Sequence, residues 1–235
     1  MTRREELSEN LREVRERVKA ACEAVGRSPE DVELLAVTKT FPASDAALLS
    51  DLGLVAFAEN RDQEASAKVV EFAELRPEAS VRWHMVGNVQ RNKARSVVSW
   101  ADRMDTLDSV RLADALAKAA SGRERPLEVL LQVSIDGDPA RGGCPVPELA
   151  GLAEHVARSS ELALRGVMAV APLGMNPRDA FSVLEEVVSR LRRDHPAATV
   201  VSAGMSGDLE DAIARGSTCV RVGTALLGGR RLASP

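Results

Sequence analysis

Two rhythms of apolar residues alternate along the chain, one helical and one short and continuous. Thr2 and Glu5 are spaced as a capping box, and Leu7, Leu11, Val14 and Val18 then recur at helical spacing, which predicts an amphipathic opening helix. Ser28-Pro29-Glu30 is a helix-start or turn signal that closes this segment. The run from Val32 to Val37 is almost wholly apolar, continues into Thr38-Lys39-Thr40-Phe41 and is cut off by Pro42. That is the pattern of the first strand of a parallel sheet. Helical segments are then predicted at Ala43 to Leu52, Asp62 to Leu75, Gln90 to Trp100, and up to Ser121 behind an Asp108-Ser109 cap. Three more cover Glu148 to Ser159, Pro177 to Arg193 and Asp208 to Arg215. Between them lie short strand-like runs at Leu54 to Ala58, Val81 to Val86, Arg103 to Thr106 and Leu127 to Ser134. The remaining runs are Leu164 to Val170, Thr199 to Ser202 and Cys219 to Val222, and a Gly/Pro-rich loop spans Asp136 to Pro147.

Eight strands alternating with helices predict an α/β fold, a single (β/α)₈ TIM barrel with an extra N-terminal helix, one domain over residues 1–235. A doubly wound open sheet is the runner-up, but eight units with no Gly-rich first turn favour the barrel. In a barrel, ligands sit on the face formed by the loops that follow the strands. Polar residues at those ends are Lys39, Asn60, His84 with Asn88, Ser134, Ser202 and Arg221, drawn from six strands. Lys39 has two readings: a partly desolvated amine available for Schiff-base chemistry, or a side chain that snorkels to water. The small, Gly-rich stretch Ser202-Ala203-Gly204-Met205-Ser206-Gly207-Asp208 opens a helix, and Arg221-Val222-Gly223-Thr224 follows the last strand. Glycines, hydroxyls and free N–H groups in these two loops suit a phosphate. A Schiff-base lysine opposite a phosphate cradle points to pyridoxal 5′-phosphate. Arg221 would then donate to the pyridine nitrogen and keep it unprotonated; the other reading pairs it with a carboxylate such as Asp211.

Composition narrows the classes. Hydrophobic residues at 45% and charged residues at 28% describe an ordinary globular chain. A formal net charge of −4 speaks against a nucleic-acid partner. No apolar run has the length of a membrane span, and Met1-Thr2-Arg3-Arg4-Glu5 reads as no signal peptide, so a cytoplasmic protein without membrane attachment is expected. Cys22, Cys144 and Cys219 are scattered and odd in number, as in a reducing compartment. Cys144 is either an exposed thiol or an incidental loop residue. His84, His155 and His195 are far apart and no CxxC occurs, so no metal site is expected. The chain has no tyrosine.

The stretches LLAVTKTF, FAENRDQEA, WHMVGNVQRNK, GVMAVAP and SAGMSGDLEDAIARGSTCVRVGTALLG, from about Val32 to Gly228, resemble the pyridoxal-phosphate homeostasis (PLP-binding) protein family. That family is similar to the barrel domain of alanine racemase without its C-terminal β domain. The resemblance implies a carrier of the vitamin B6 pool rather than an enzyme, with apo-enzyme recipients as transient partners. It implies Lys39 as the internal aldimine lysine, Asn60 beside the ring, and Ser206, Gly223 and Thr224 on the phosphate. Ser202 and Met205 would be close by, Arg221 would face the ring nitrogen, and His84 would lie one layer back. Thr38, Ala58, Asn88 and Ser134 stand where the family more often has serine, glycine, histidine and asparagine. A monomer or weak homodimer is expected. Against the carrier stand a PLP-dependent racemase and an aldolase-type lysine barrel. In alanine racemases the base opposite the lysine is a tyrosine, which this chain lacks.

Overall fold

The computed structural model describes residues 1–138 and 141–229. The opening helix α1 (Arg3–Glu23) carries the capping box that Thr2 and Glu5 predict and buries Leu7, Leu11, Val14, Val18 and Cys22. After a single 3₁₀ turn at Pro29–Asp31, the chain runs β1 (Glu33–Val37), α2 (Ala43–Asp51), β2 (Ala56–Glu59), α3 (Asp62–Leu75) and β3 (Arg82–Met85). It continues with α4 (Ala94–Trp100), β4 (Arg103–Leu107), α5 (Val110–Ala120), β5 (Leu127–Ser134), β6 (Cys144–Pro145) and α6 (Leu149–Ala157). The last third holds β7 (Leu162–Met168), α7 (Pro177–Asp194), β8 (Val200–Ser202), α8 (Leu209–Ala214), β9 (Cys219–Val222) and α9 (Thr224–Leu227).

Every strand pairing is parallel. The order β4-β3-β2-β1-β9-β8-β7-β5 closes on itself through β4–β5, so eight strands form a complete ring, as the alternating pattern predicts. The two-residue β6 hangs outside it on β5, where Cys144 lies opposite Val133. This replaces the exposed-thiol reading: Cys144 is buried, and burial first, with Glu148 and Asp108 adding to it, pushes its thiol up to about 11.

The core is split by the ring. Outside, the strands bury Ala36, Phe57, Trp83, Met85, Met104 and Val167 against the helices. There Phe57 sits between Phe72 and Trp83, with ring centroids 5.9 and 5.4 Å away. Inside, the alternate residues Leu35, Ala56, Ala58 and Cys219 make a small second cluster. Val37, Val86 and Val200 pack against it, and the lumen also holds the buried polar residues His84, Arg103, Asp105 and Arg221.

Several boundaries differ from those expected. β2 begins two residues later than its apolar pattern and ends one later, taking in Glu59, because Glu59 lies opposite Met85 in the ladder. β7 starts at Leu162, which pairs with Leu127, and ends at Met168 rather than Val170. The fourth helix opens with a 3₁₀ turn at Arg91–Lys93 and becomes α-helical only at Ala94. Ser109 occupies the N-cap of α5 but makes no side-chain cap bond. Part of the Asp136 to Pro147 loop, residues 139–140, lies outside the described residues.

Gly204 turns the chain from β8 toward α8 with φ +91°, and a Cβ there would lie 2.6 Å from Ala212 Cβ and 3.0 Å from Leu209 Cα. Gly204→Ala is therefore expected to cost about 2 kcal/mol from strain and overpacking. Calorimetry should show the melting temperature lowered by roughly 4–8 °C for a domain of this size; an unchanged melt would mean that the turn is not strained.

Candidate functional site

The parallel ring sends all eight strand ends to one rim. Lys39 leaves that rim two residues beyond β1 and is exposed. It is not the desolvated lysine that strand-end placement allows for. Phe41 N–H donates to the Thr38 carbonyl at 3.1 Å, so Lys39 and Thr40 are the middle of a tight turn. Asn60 follows β2 as Lys39 follows β1, and Val37 lies opposite Ala58 in the shared ladder, which brings the two ends side by side. Gly87, at the end of the third unit, is packed so closely that a Cβ would fall 2.0 Å from the Asn60 carbonyl oxygen. Only glycine lets these two ends meet.

On the other side of β1, Leu35 lies opposite Arg221 and Ala36 opposite Val222. Gly223 thus comes beside Val37, where a Cβ would meet the Val37 carbonyl oxygen at 3.3 Å. The β8 and β9 loops are tied together, since Ala225 N–H donates to Ser206 Oγ at 3.3 Å. Arg17 holds the outer edge, donating to the Ser206 carbonyl at 3.0 Å and bonding Glu210. Asp208 Oδ1 accepts from Met205 N–H at 2.6 Å. Among the described residues, the backbone N–H groups of Ser206, Gly207 and Thr224 engage no acceptor. Two short loops that present donors and lack bulk fit a phosphate monoester. Met205 and Thr224 are exposed at the mouth.

Arg221 lies beneath these loops. Nη1 donates to the Ser202 carbonyl at 2.7 Å and to Ser202 Oγ at 2.9 Å, and Nη2 donates to the Ala169 carbonyl at 2.8 Å. Ser202 is thus Arg221's partner, which explains its burial. Among the described residues no carboxylate bonds Arg221; Asp211 pairs instead with Arg178 at 2.7 Å. Burial pushes the guanidinium below its ordinary range, although Cys219, Asp105 and Asp208 oppose the shift. Nε–H and one Nη2–H have no partner among the described residues. A buried donor with no carboxylate beside it suits a neutral ring nitrogen.

His84 lies deeper, in the lumen, with both ring nitrogens unpartnered and Nδ1 3.8 Å from Asp105 Oδ1. Asp105 accepts from Arg103 Nε at 2.9 Å, and Arg103 reaches the Cys219 sulfur at 3.7 Å. Asn88 and Ser134 sit at the opposite part of the rim from Lys39: the positions of Asn88, Gln132 and Asp108 converge around Gly142, and Ser134 is buried against β6. Among the described residues, no cluster of ligating side chains could hold a metal ion.

Sequence reasoning missed a second buried group. Lys68 Nζ lies 2.6 Å from Glu59 Oε1 and 2.8 Å from the Thr38 carbonyl, and Thr38 Oγ1 donates to the same Glu59 oxygen at 2.6 Å. The available signal was helical spacing: Lys68 shares the inner face of α3 with Ala65 and Phe72, where a lysine requires a buried carboxylate.

Comparison with known proteins fits this geometry. The model of the alanine racemase N-terminal domain matches residues 4–231. A pyridoxal phosphate homeostasis protein of Mycobacterium leprae is 47% identical, over 99% of this chain and 96% of its own. The chain belongs to the pyridoxal phosphate homeostasis protein family. A protein of known structure, PipY of Synechococcus elongatus, solved with PLP bound, is 32% identical with a TM-score of 0.82, covering 94% of this chain and 100% of that one. An alanine racemase of Clostridium difficile shares the fold at 15% identity, with a TM-score of 0.72 over 97% of this chain and 58% of its own.

The buried histidine generates a pH prediction. Burial, against the opposing pull of Asp105, pushes His84 down to about 3 from its ordinary 6.5. The unfolded chain takes up a proton near pH 6.5 and the folded one does not until about 3, so stability falls as pH drops through that window. Urea titrations should lose about 1 kcal/mol per pH unit below about pH 6 from this residue. His84→Asn is expected to remove that part of the slope; an equal slope in the variant would refute the assignment.

Proposed function

We propose that this chain binds pyridoxal 5′-phosphate reversibly, covalently through Lys39, and acts as a carrier that buffers the cofactor or delivers it to apo-enzymes inside the cell. The observation that carries the reading is Arg221: a buried guanidinium without a bonded carboxylate, two N–H groups to spare, between the Lys39 turn and the open β8 and β9 loops. The PLP-bound structure of PipY supports the same ligand. Asn60 would lie beside the ring, and Ser206, Gly223 and Thr224 would take the phosphate, with Met205 at the mouth and Ser202 behind Arg221. When bound, the cofactor supplies an aldehyde that a primary amine captures as a hydrolysable C=N bond.

A racemase reading requires a proton-carrying group on each face of the substrate carbon. Lys39 provides one. The chain has no tyrosine for the other. His84 is fully buried in the lumen, and Cys144 is buried with its thiol held protonated. Neither is exposed at the rim, which favours the carrier. An aldolase-type lysine barrel would have no use for the two spare N–H groups of Arg221.

Three measurements test the reading. Lys39→Ala should abolish the near-ultraviolet or visible band that pyridoxal phosphate gives with the unaltered chain, while circular dichroism stays the same. Borohydride reduction followed by peptide mapping should place the adduct on Lys39; an adduct on Lys68, Lys93 or Lys118 rejects it. Exchange of the Cα proton of L- and D-alanine, serine and glutamate in deuterated water should proceed, if at all, without inversion and below about 1 s⁻¹. Inversion at enzyme-like turnover would replace the carrier with a racemase.

A further inference from the structure

Lys68, Glu59 and Thr38 form one knot between α3 and the ends of β2 and β1. Lys68 is 7% exposed and Glu59 is wholly buried, with Oε2 lacking any partner. Desolvating two charges and leaving one carboxylate oxygen unpaired is weak as a source of stability. The knot's placement is more informative. Thr38 and Glu59 immediately precede Lys39 and Asn60, the two rim residues proposed to meet the cofactor.

The Thr38 carbonyl accepts two hydrogen bonds, one from Lys68 at 2.8 Å and one from Phe41 N–H at 3.1 Å. The second bond closes the turn that carries Lys39 and Thr40. Thr40 has φ +68°, alone among the non-glycine described residues. Positive φ at the third turn position is where glycine or asparagine is usual. A β-branched residue held there is strained and persists only where its surroundings over-determine it. The Thr38 side chain points toward α3, away from the lumen face of Leu35 and Val37, and Lys39 follows it as the second residue of the turn.

We propose that Lys68 and Glu59 are positioning residues: they lock the strained turn after β1 and thereby aim the Lys39 amine at its electrophile. The inference rests on the proposed role of Lys39. It separates two quantities. Non-covalent affinity belongs to the β8 and β9 loops, on the far side of β1, whereas the covalent equilibrium depends on where the amine points.

The test uses the full chain carrying Glu59→Gln together with Lys68→Met, which removes both charges at once and strands neither. Two ligands are compared by equilibrium titration: pyridoxal 5′-phosphate, and 4′-deoxypyridoxine 5′-phosphate, which keeps the ring and phosphate but lacks the aldehyde. The double variant is expected to bind the deoxy compound within about twofold of the unaltered chain, while its covalent equilibrium with pyridoxal phosphate weakens about tenfold, the effect of one lost charge-assisted hydrogen bond. Borohydride trapping on Lys39 should fall in parallel. Equal losses for both ligands, no loss for either, or a variant that does not fold would make the knot a packing device and overturn the inference alone. An unaltered chain that traps nothing on Lys39 overturns the proposed function and the inference with it.

Discussion

One guanidinium joins three strand ends. Arg221 issues from β9, bonds both oxygens of Ser202 at the end of β8, and bonds the carbonyl of Ala169 just past β7. Its acceptors are neutral dipoles, so the charge is solvated by the barrel itself rather than cancelled by a bonded partner. The geometry of the whole β8 and β9 side follows. The β8 loop begins one residue after Ser202, and the β9 loop begins one residue after Val222. Both loops are therefore referenced to the same side chain.

That arrangement helps explain why the lumen is partly polar. A barrel interior is usually filled by branched aliphatic side chains, but here Leu35, Ala56 and Ala58 share it with His84, Arg103 and Asp105. Asp105 lies where its field reaches both arginines: it bonds Arg103 and opposes the effect of burial on Arg221. For Arg103, burial lowers proton affinity, and Asp105, Cys219 and Glu33 together outweigh it, leaving the net shift upward. The apolar stabilisation of the fold is correspondingly concentrated in the outer layer, where Phe57, Phe72 and Trp83 pack between strands and helices. Packing energy and ligand electrostatics thus occupy separate sides of one sheet.

Much of this was legible in the chain. Strand–helix alternation specified a parallel barrel, and parallel closure carries Lys39, Asn60 and Arg221 to a common rim whatever the details of packing. The Gly204 turn was likewise readable, since a Gly-rich segment that opens a helix has few alternatives. Pair identity was not. Lys68 finds Glu59 because a helix face and a strand end meet, and nine residues of separation carry no rule for that. The inward direction of His84 depends on register, fixed only when it falls opposite Ala58 and Arg103. Ser202 read as a phosphate neighbour, and only the three-dimensional path of Arg221 assigns its hydroxyl.

The helix α1 is stitched to the other end of the chain: Arg3 donates to the Leu227 carbonyl at 3.0 Å and Asn10 to that of Leu226 at 2.9 Å. The ring closes in the same way, first strand to last. A ribosome adding about 5–20 residues per second therefore holds an unclosed sheet for on the order of ten seconds. Throughout that interval β1 has a bare edge, open to pairing with another chain, and α1 has no floor for its apolar stripe. The lysine proposed to hold the cofactor is among the earliest parts made, and the loops proposed to select it are among the last. On that proposal, a nascent chain would expose its lysine before the β8 and β9 loops exist to choose an aldehyde.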